Sequence, residues 1–383
     1  MSKQTESAKA AAAAHDPRYQ RQVAGRLDET VERIEDQAAL TLDAATAKWV
    51  IFSDLHKGAR NHADDFRHCE KAYNAALAWY LRMGYTLVVL GDVEELWKER
   101  VGPVISSYGR SLELEARFHR AGRYIRFWGN HDDLWGHPGA VKRLLGPIFG
   151  EDLQVREAAF VNVEEGGQAL GRLFLLHGHQ GTSDADPERI GWVARAFVRF
   201  VWRPIQRIFK VALNTPAKDF QLRHKHSVAM YRWAESQPQL ALIAGHTHQP
   251  VFRSRSLEQQ VQAELAGAQA RLDANPGDAK LVDAVAVLEA RLEWVRASRE
   301  GKTGAAAPVS MDKPCYFNTG CCCFNDGDVT ALEIADGSFR LVRWPDDKGD
   351  PHRHELATET VRAVFRGLGA VIEEKIQVPA IAP

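Results

Sequence analysis

Short apolar runs recur along the chain, and each stops at polar residues able to hold a metal ion. Residues 48–53 (KWVIFS) end at Asp54, residues 85–90 (YTLVVL) at Gly91-Asp92, and residues 124–128 (YIRFW) at Gly129-Asn130. Residues 172–176 (RLFLL) end at His177, and residues 240–244 (LALIA) at Gly245-His246. Apolar runs of this length predict buried strands. The stretch CEKAYNAALAWYLRM, between the first two runs, carries a helical pattern. Strands alternating with helices, with polar chemistry at the strand C-termini, predict an α/β layered fold whose site lies on one edge. Residues 25–40 place Leu27, Val31 and Ile34 at helical spacing and predict a helix. The Ala-rich arm before it, residues 1–24, is expected to be disordered.

Two insertions interrupt this pattern. Residues 187–236 read as a helical lid. Trp192, Phe197, Phe200, Trp202, Ile205 and Phe209 are interleaved there with Arg195, Arg199, Arg203, Arg207 and Lys210. Residues 256–299 read as a helical hairpin. Leu257, Val261, Leu265, Ala268 and Leu272 form one stripe, Leu281, Val285, Leu288, Leu292 and Val295 the other, and residues 275–278 the turn. Residues 301–310 read as a flexible return. The segment after it reads as strands joined by tight turns at residues 325–328 and at Asp336-Gly337. The Pro/Ala-rich tail beyond Val378 is expected to be loose.

Composition narrows the picture. The 383 residues are 45% hydrophobic and 26% charged, as in a soluble globular protein. A net charge of −1 supplies no global field toward nucleic acid or a membrane. Five cysteines without a CxxC pair argue against a disulfide framework or a zinc ribbon and fit a reducing cytosol. The run Cys321-Cys322-Cys323 reads as packing at the site rim, ahead of a redox or third-metal role. The N-terminus lacks the apolar core of a signal peptide, and no apolar stretch is long enough to span a bilayer. A cytoplasmic protein is expected.

The strand-end residues form a donor set. Asp54 and His56 lie two apart, so on an extended strand they point the same way and one ion can take both. Asp92 has two oxygens and can bridge two cations. Asn130 offers a neutral amide oxygen, followed by His131. His177 stands in HGH, and His246 and His248 in GHTH, again two apart. Mixed oxygen and nitrogen ligation suits Mn, Fe or Zn better than Ca or Mg. His179 reads as an outer contact to a ligand or to substrate. Lys57, Arg60 and His62 read equally as phosphate contacts or as solvated loop charges.

In that order DLH, GDVEE, GNHDD, HGH and GHTH resemble the signature of the calcineurin-like metallophosphoesterase superfamily, over roughly residues 48–252, with Asn318-Thr319-Gly320 matching its closing strand. The resemblance implies a four-layer αββα sandwich over residues 25–383, carrying the two insertions, and two metal ions sharing one carboxylate. Carried over, one ion takes Asp54, His56, Asp92 and His248; the other takes Asp92, Asn130, His177 and His246. His131 is then the catalytic histidine, with Glu95 where the family often has an orienting acid. The implied reaction is hydrolysis of a phosphate ester or anhydride by in-line attack of a metal-bridging hydroxide.

The lid is similar in position to the helical cap of UDP-diacylglucosamine pyrophosphatases, which belong to the same superfamily. That likeness raises a lipid-nucleotide pyrophosphatase at the inner membrane face, touching the bilayer through residues 192–213. The expected substrate is a phosphorylated small molecule or a lipid-linked phosphate, not nucleic acid. A protein phosphatase fits less well, because an aromatic cap closes the groove a protein substrate needs. A catalytically silent scaffold is the reading from another class. The hairpin 256–299 would then be its interaction arm, and in an enzyme it is a packing or homo-oligomer arm.

Overall fold

The computed structural model describes residues 16–182, 220–276, 278–297, 311–323, 327–346 and 349–372. Their strands form two seven-stranded sheets. In one, β2 (Lys48–Phe52), β3 (Thr86–Leu90), β4 (Tyr124–Phe127) and β5 (Val155–Arg156) pair in parallel. Antiparallel β12 (Val329–Ala335), β13 (Ser338–Trp344) and β14 (His354–Thr360) extend that sheet beyond β2. The other sheet runs β1 (Leu40–Asp43), β6 (Ala158–Glu165), β7 (Gln168–Leu176), β8 (Leu240–Ala244), β11 (Tyr316–Asn318), β9 (Val251–Phe252) and β10 (Arg255–Ser256), with β7, β8 and β11 parallel.

The central strands are apolar on both faces because both faces are covered. Trp49, Ile51, Val88, Leu90 and Phe127 of one sheet meet Leu173, Leu175, Ile243 and Phe317 of the other in one interior cluster. Their alternating neighbours point outward. Val50, Phe52, Leu87 and Val89 pack on Phe66, Tyr73, Leu77 and Tyr80 of the helix Phe66–Arg82. Phe174, Leu176, Leu240 and Leu242 pack on Val23 and Leu27 of the helix Pro17–Ile34 and on Met230 and Trp233 of the helix Phe220–Ser236. Helix, sheet, sheet, helix: the fold is an αββα sandwich. The C-termini of β2, β3, β4, β7, β8 and β11 carry the polar motifs.

Three sequence expectations change at their boundaries. The first helix starts at Pro17 rather than residue 25, and it ends at Ile34, so residue 40 already lies in β1. Asp16 caps this helix: its carboxylate accepts from the Arg18 and Tyr19 amides at 3.0 and 3.1 Å. Pro17, at the first helical position, has no amide to leave unpaired. Residues 17–24 of the supposed disordered arm are therefore helical, and residues 1–15 lie outside the described residues. Of the lid, residues 187–219, with 192–213 among them, also lie outside, and only Phe220–Ser236 is described. The hairpin consists of helices Leu257–Ala274 and Ala279–Ala297 and packs on its own chain, with Val261 and Leu292 joining the inter-sheet core. Among the described residues no helix is long and apolar enough to cross a membrane.

A charged layer lies behind the strand ends. Lys57 is fully buried and ion-paired to Glu115, which also accepts from the hydroxyls of Tyr73 and Tyr124 at 3.1 and 3.0 Å. Neither sequence reading of Lys57, phosphate contact or solvated charge, holds: its ammonium is sealed among Phe66, Tyr73 and Glu115. Beside it, Glu94 pairs with Arg126 and accepts from Trp135 Nε1 at 2.8 Å. A buried charge left alone is costly. Lys57→Met is therefore expected to destabilise the protein by about 3–5 kcal/mol, with most of the loss recovered in Lys57→Met/Glu115→Met. Denaturant midpoints of the three proteins check this.

Candidate metal centre

The two sheets bring their strand ends to one edge, where the turns after each strand hold the donor side chains. Asp54, His56, Asp92, His246 and His248 all have positive φ, between 50° and 68°. This is sparsely populated backbone for residues with a Cβ. Asp54 and His56 are thus not in extended geometry, and the alternation argument for their convergence does not apply. They converge through left-handed turns instead, with His56 Nε2 3.9 Å from Asp54 Oδ1. Left-handed turns also separate His246 from His248, which face different groups.

One group gathers around Asp54 Oδ1. His248 Nε2 lies 3.2 Å from it and 3.1 Å from His56 Nε2. The other group gathers around Asp92 Oδ2. His177 Nε2 lies 3.1 Å from that oxygen and 3.2 Å from Asn130 Oδ1. The donor atoms of Asp92, His177 and His246 all lie within 4.8 Å of one another. Asp92 Oδ2 is also 3.7 Å from His56 Nε2, so a single carboxylate oxygen faces both groups.

The remaining lone pairs are anchored. Asp54 Oδ2 accepts from the Ser53 hydroxyl and from the His246 amide, the latter at 2.8 Å. Asp92 Oδ1 accepts from the His131 amide at 2.8 Å. His177 Nδ1 donates to the Leu90 carbonyl at 2.7 Å, which turns Nε2 toward the site. Asp132 accepts from the amides of Gly129, Val93 and Asp92 at 2.6, 2.9 and 3.2 Å and so ties the β3 turn to the β4 turn. At Gly129 a Cβ would meet Asp92 Oδ1 at 2.3 Å and His177 Cδ2 at 2.8 Å, so only glycine lets these turns approach.

The electrostatics are those of a site built around cations. Asp54 is buried and Asp92 nearly so. Burial should raise both pKa values. The neighbouring imidazoles override it, and both carboxyls stay below the usual carboxylate range. The counterpart is proton retention: despite burial, Asp92 and Asp54 push His177 up to about 9, and Asp54 pushes His248 up to about 10. Burial drives His246 well down. Asp132 is pushed up to about 7 by burial and by Asp92.

The donors fit divalent cations. Asp54 Oδ1 and His246 Nε2 are buried and have no hydrogen-bond partner among the described residues. Both belong to sets of carboxylate, imidazole and amide donors of the kind that binds first-row metals. An ion would replace the two histidine protons as the counter-charge.

His131 and Glu95 sit at the rim. Glu95 reaches His131 Nδ1 with both oxygens, at 2.9 and 3.0 Å, and lies 3.5 Å from His56 Nδ1. Trp97 stacks on the His131 ring at 4.2 Å and 22°. Burial alone would lower His131, but Glu95 and Asp92 hold it above its ordinary value. His179 is buried and belongs to neither donor group. Its ring lies 5.5 Å from His177 and 5.4 Å from Trp128, and burial drives it down to about 3.

Sequence reading did not single out Asp132 or Trp97, and it took Cys323 only as part of a cysteine run packing at the site rim. The first aspartate of GNHDD was the available signal for Asp132. Nothing local marks Trp97.

No curated protein matches the chain. The family model described as calcineurin-like phosphoesterase matches residues 47–250, more than half of its length, from the first strand of the site to the residues just after the GHTH turn. A match that spans the strand ends meeting at this edge leaves one assignment: the chain belongs to the calcineurin-like phosphoesterases and is a metal-dependent phosphoesterase.

Proposed function

We propose that the protein hydrolyses a phosphate ester or anhydride at a two-metal centre with Asp92 shared between the ions. The observation that carries this reading is Asp92 Oδ2, which faces His177 on one side and His56 on the other. Asp54, His56 and His248 would complete the first ion's ligands. Asn130, His177 and His246 would complete the second's. The oxygen and nitrogen donor set suits Mn, Fe or Zn. Two such ions, when bound, would supply Lewis acidity to make water nucleophilic near neutral pH and to offset charge on phosphoryl oxygens.

The protein's own groups do the rest. Glu95 fixes the His131 ring by accepting at Nδ1, which leaves Nε2 as the atom that carries the transferable proton. Trp97 stacking holds the plane of the ring. Glu95 and Asp92 favour the protonated form of His131, which can donate to the leaving oxygen. The substrate assigned is a phosphorylated small molecule or a lipid-linked phosphate. Net charge near zero gives no support to a nucleic-acid substrate.

The direct test is turnover of p-nitrophenyl phosphate, its bis ester and nucleotide pyrophosphates with added Mn, with and without detergent, alongside metal analysis. No bound metal and no turnover on any of them would return the protein to the scaffold reading. A detergent-dependent pyrophosphatase would favour the lipid-linked substrate.

Three outcomes are expected from variants. Asp92→Asn should weaken metal binding more than about 100-fold, beyond the range of an outer-sphere change, as read by chelator competition. His131→Ala should keep both metals by elemental analysis and lose about 10²- to 10⁴-fold in kcat. Glu95→Gln should shift the alkaline limb of the pH–rate profile. The active form holds the proton, so activity falls as pH rises through the His131 pKa. Removing the Glu95 charge lowers that pKa and moves the limb down by about one pH unit or more.

A further inference from the structure

The histidines of the centre differ in what holds their second ring nitrogen. His177 has a backbone carbonyl, and His131 has a carboxylate. His56 Nδ1 faces the same carboxylate at 3.5 Å. His248 has neither. Its Nδ1 lies 3.4 Å from Cys323 Sγ, while Nε2 on the other side of the ring faces Asp54 and His56. His56, His248 and Cys323 form a third group of donors within 4.8 Å of one another.

The backbone shows that this contact is built into the fold. Cys323 ends a short path from β11. Its first residues are pinned by Thr319 N to Ala244 O at 3.0 Å and by Cys322 N to Asp54 O at 3.1 Å. Thr330 secures Cys321 three times: its amide and its hydroxyl donate to the Cys321 carbonyl at 3.2 and 3.3 Å, and its hydroxyl accepts from the Cys321 amide at 3.2 Å. Gly320 makes the turn, with φ +83° and a Cβ position 2.1 Å from Thr330 Oγ1, where no side chain fits. Asp54, the neighbour of His248 in the site, thus also holds through its own carbonyl the loop that delivers Cys323. Cys321 lies beside both Cys323 and His248.

We propose that Cys323 is a positioning residue for His248: its sulfur accepts the Nδ1 proton, fixes the tautomer, and aims Nε2 at the ion shared with Asp54 and His56. This rests on the two-metal reading above. Such outer partners of metal-bound histidines are carboxylates, carbonyls or water in most sites. A sulfur in that place is a weaker acceptor.

The test is metal affinity, not turnover. Full-length wild type, Cys323→Ala and Cys323→Asp are stripped and titrated with zinc against a chromophoric chelator. Cys323→Ala should weaken one of the two ions by about 10- to 100-fold, with the melting temperature of the metal-free protein unchanged. Cys323→Asp, which supplies a carboxylate to Nδ1, should restore most of the affinity. Wild-type affinity for both ions in Cys323→Ala would overturn the proposal, and so would an aspartate variant as weak as the alanine one, since the sulfur would then only fill space. The cobalt-substituted wild type should lack a thiolate-to-cobalt charge-transfer band. A band that disappears in Cys323→Ala would make Cys323 a direct ligand and overturn positioning. A wild type that binds no ion would instead bring down the two-metal reading itself.

Discussion

Asp54 and Asp92 follow neighbouring parallel strands and end up almost without water, where two carboxylates repel each other and each has lost its hydration. They are tolerated because imidazoles close around them. His248 stands 3.2 Å from one and His177 3.1 Å from the other, and both retain a proton there. The edge of the sandwich thus carries a standing demand for positive charge, which protons satisfy poorly and divalent ions satisfy well. Much else at that edge serves the same pair. Ser53 and the His246 amide take the outer oxygen of Asp54, the His131 amide takes that of Asp92, and Asp132 binds the amides of the two turns behind them.

The main architecture was legible because its signals are local. Each site strand is an apolar run that stops at a metal-capable residue, so period and punctuation together show both the strands and where their chemistry lies. What escaped depended on partners far away in sequence. Lys57 looks like any lysine in a polar loop until Glu115, on a helix packed over the same sheet, seals it. Cys323 looks like one of three packing cysteines until the β8 turn presents His248 to it. The early start of the first helix is a different case. Asp16 and Pro17 make a local helix start at the end of an Ala-rich stretch.

Asp54 and His56 come within 3.9 Å of each other without an extended spacing. Extended strands do place alternate side chains together, but these residues lie past the strand end in left-handed conformation. Residue types reveal which side chains want one ion. They do not reveal the backbone path that brings them there, because that path is imposed by the packing of two sheets.

The left-handed backbone at Asp54, His56, Asp92, His246 and His248 also bears on how such a protein changes over time. Glycine would relax each of these positions at no steric cost. Selection for thermal robustness alone would therefore act against these turns, because their residues hold conformational energy to release. A demand for the geometry of the site opposes that erosion. A descendant freed from that demand should drift toward glycine at these turns while its sandwich stays intact.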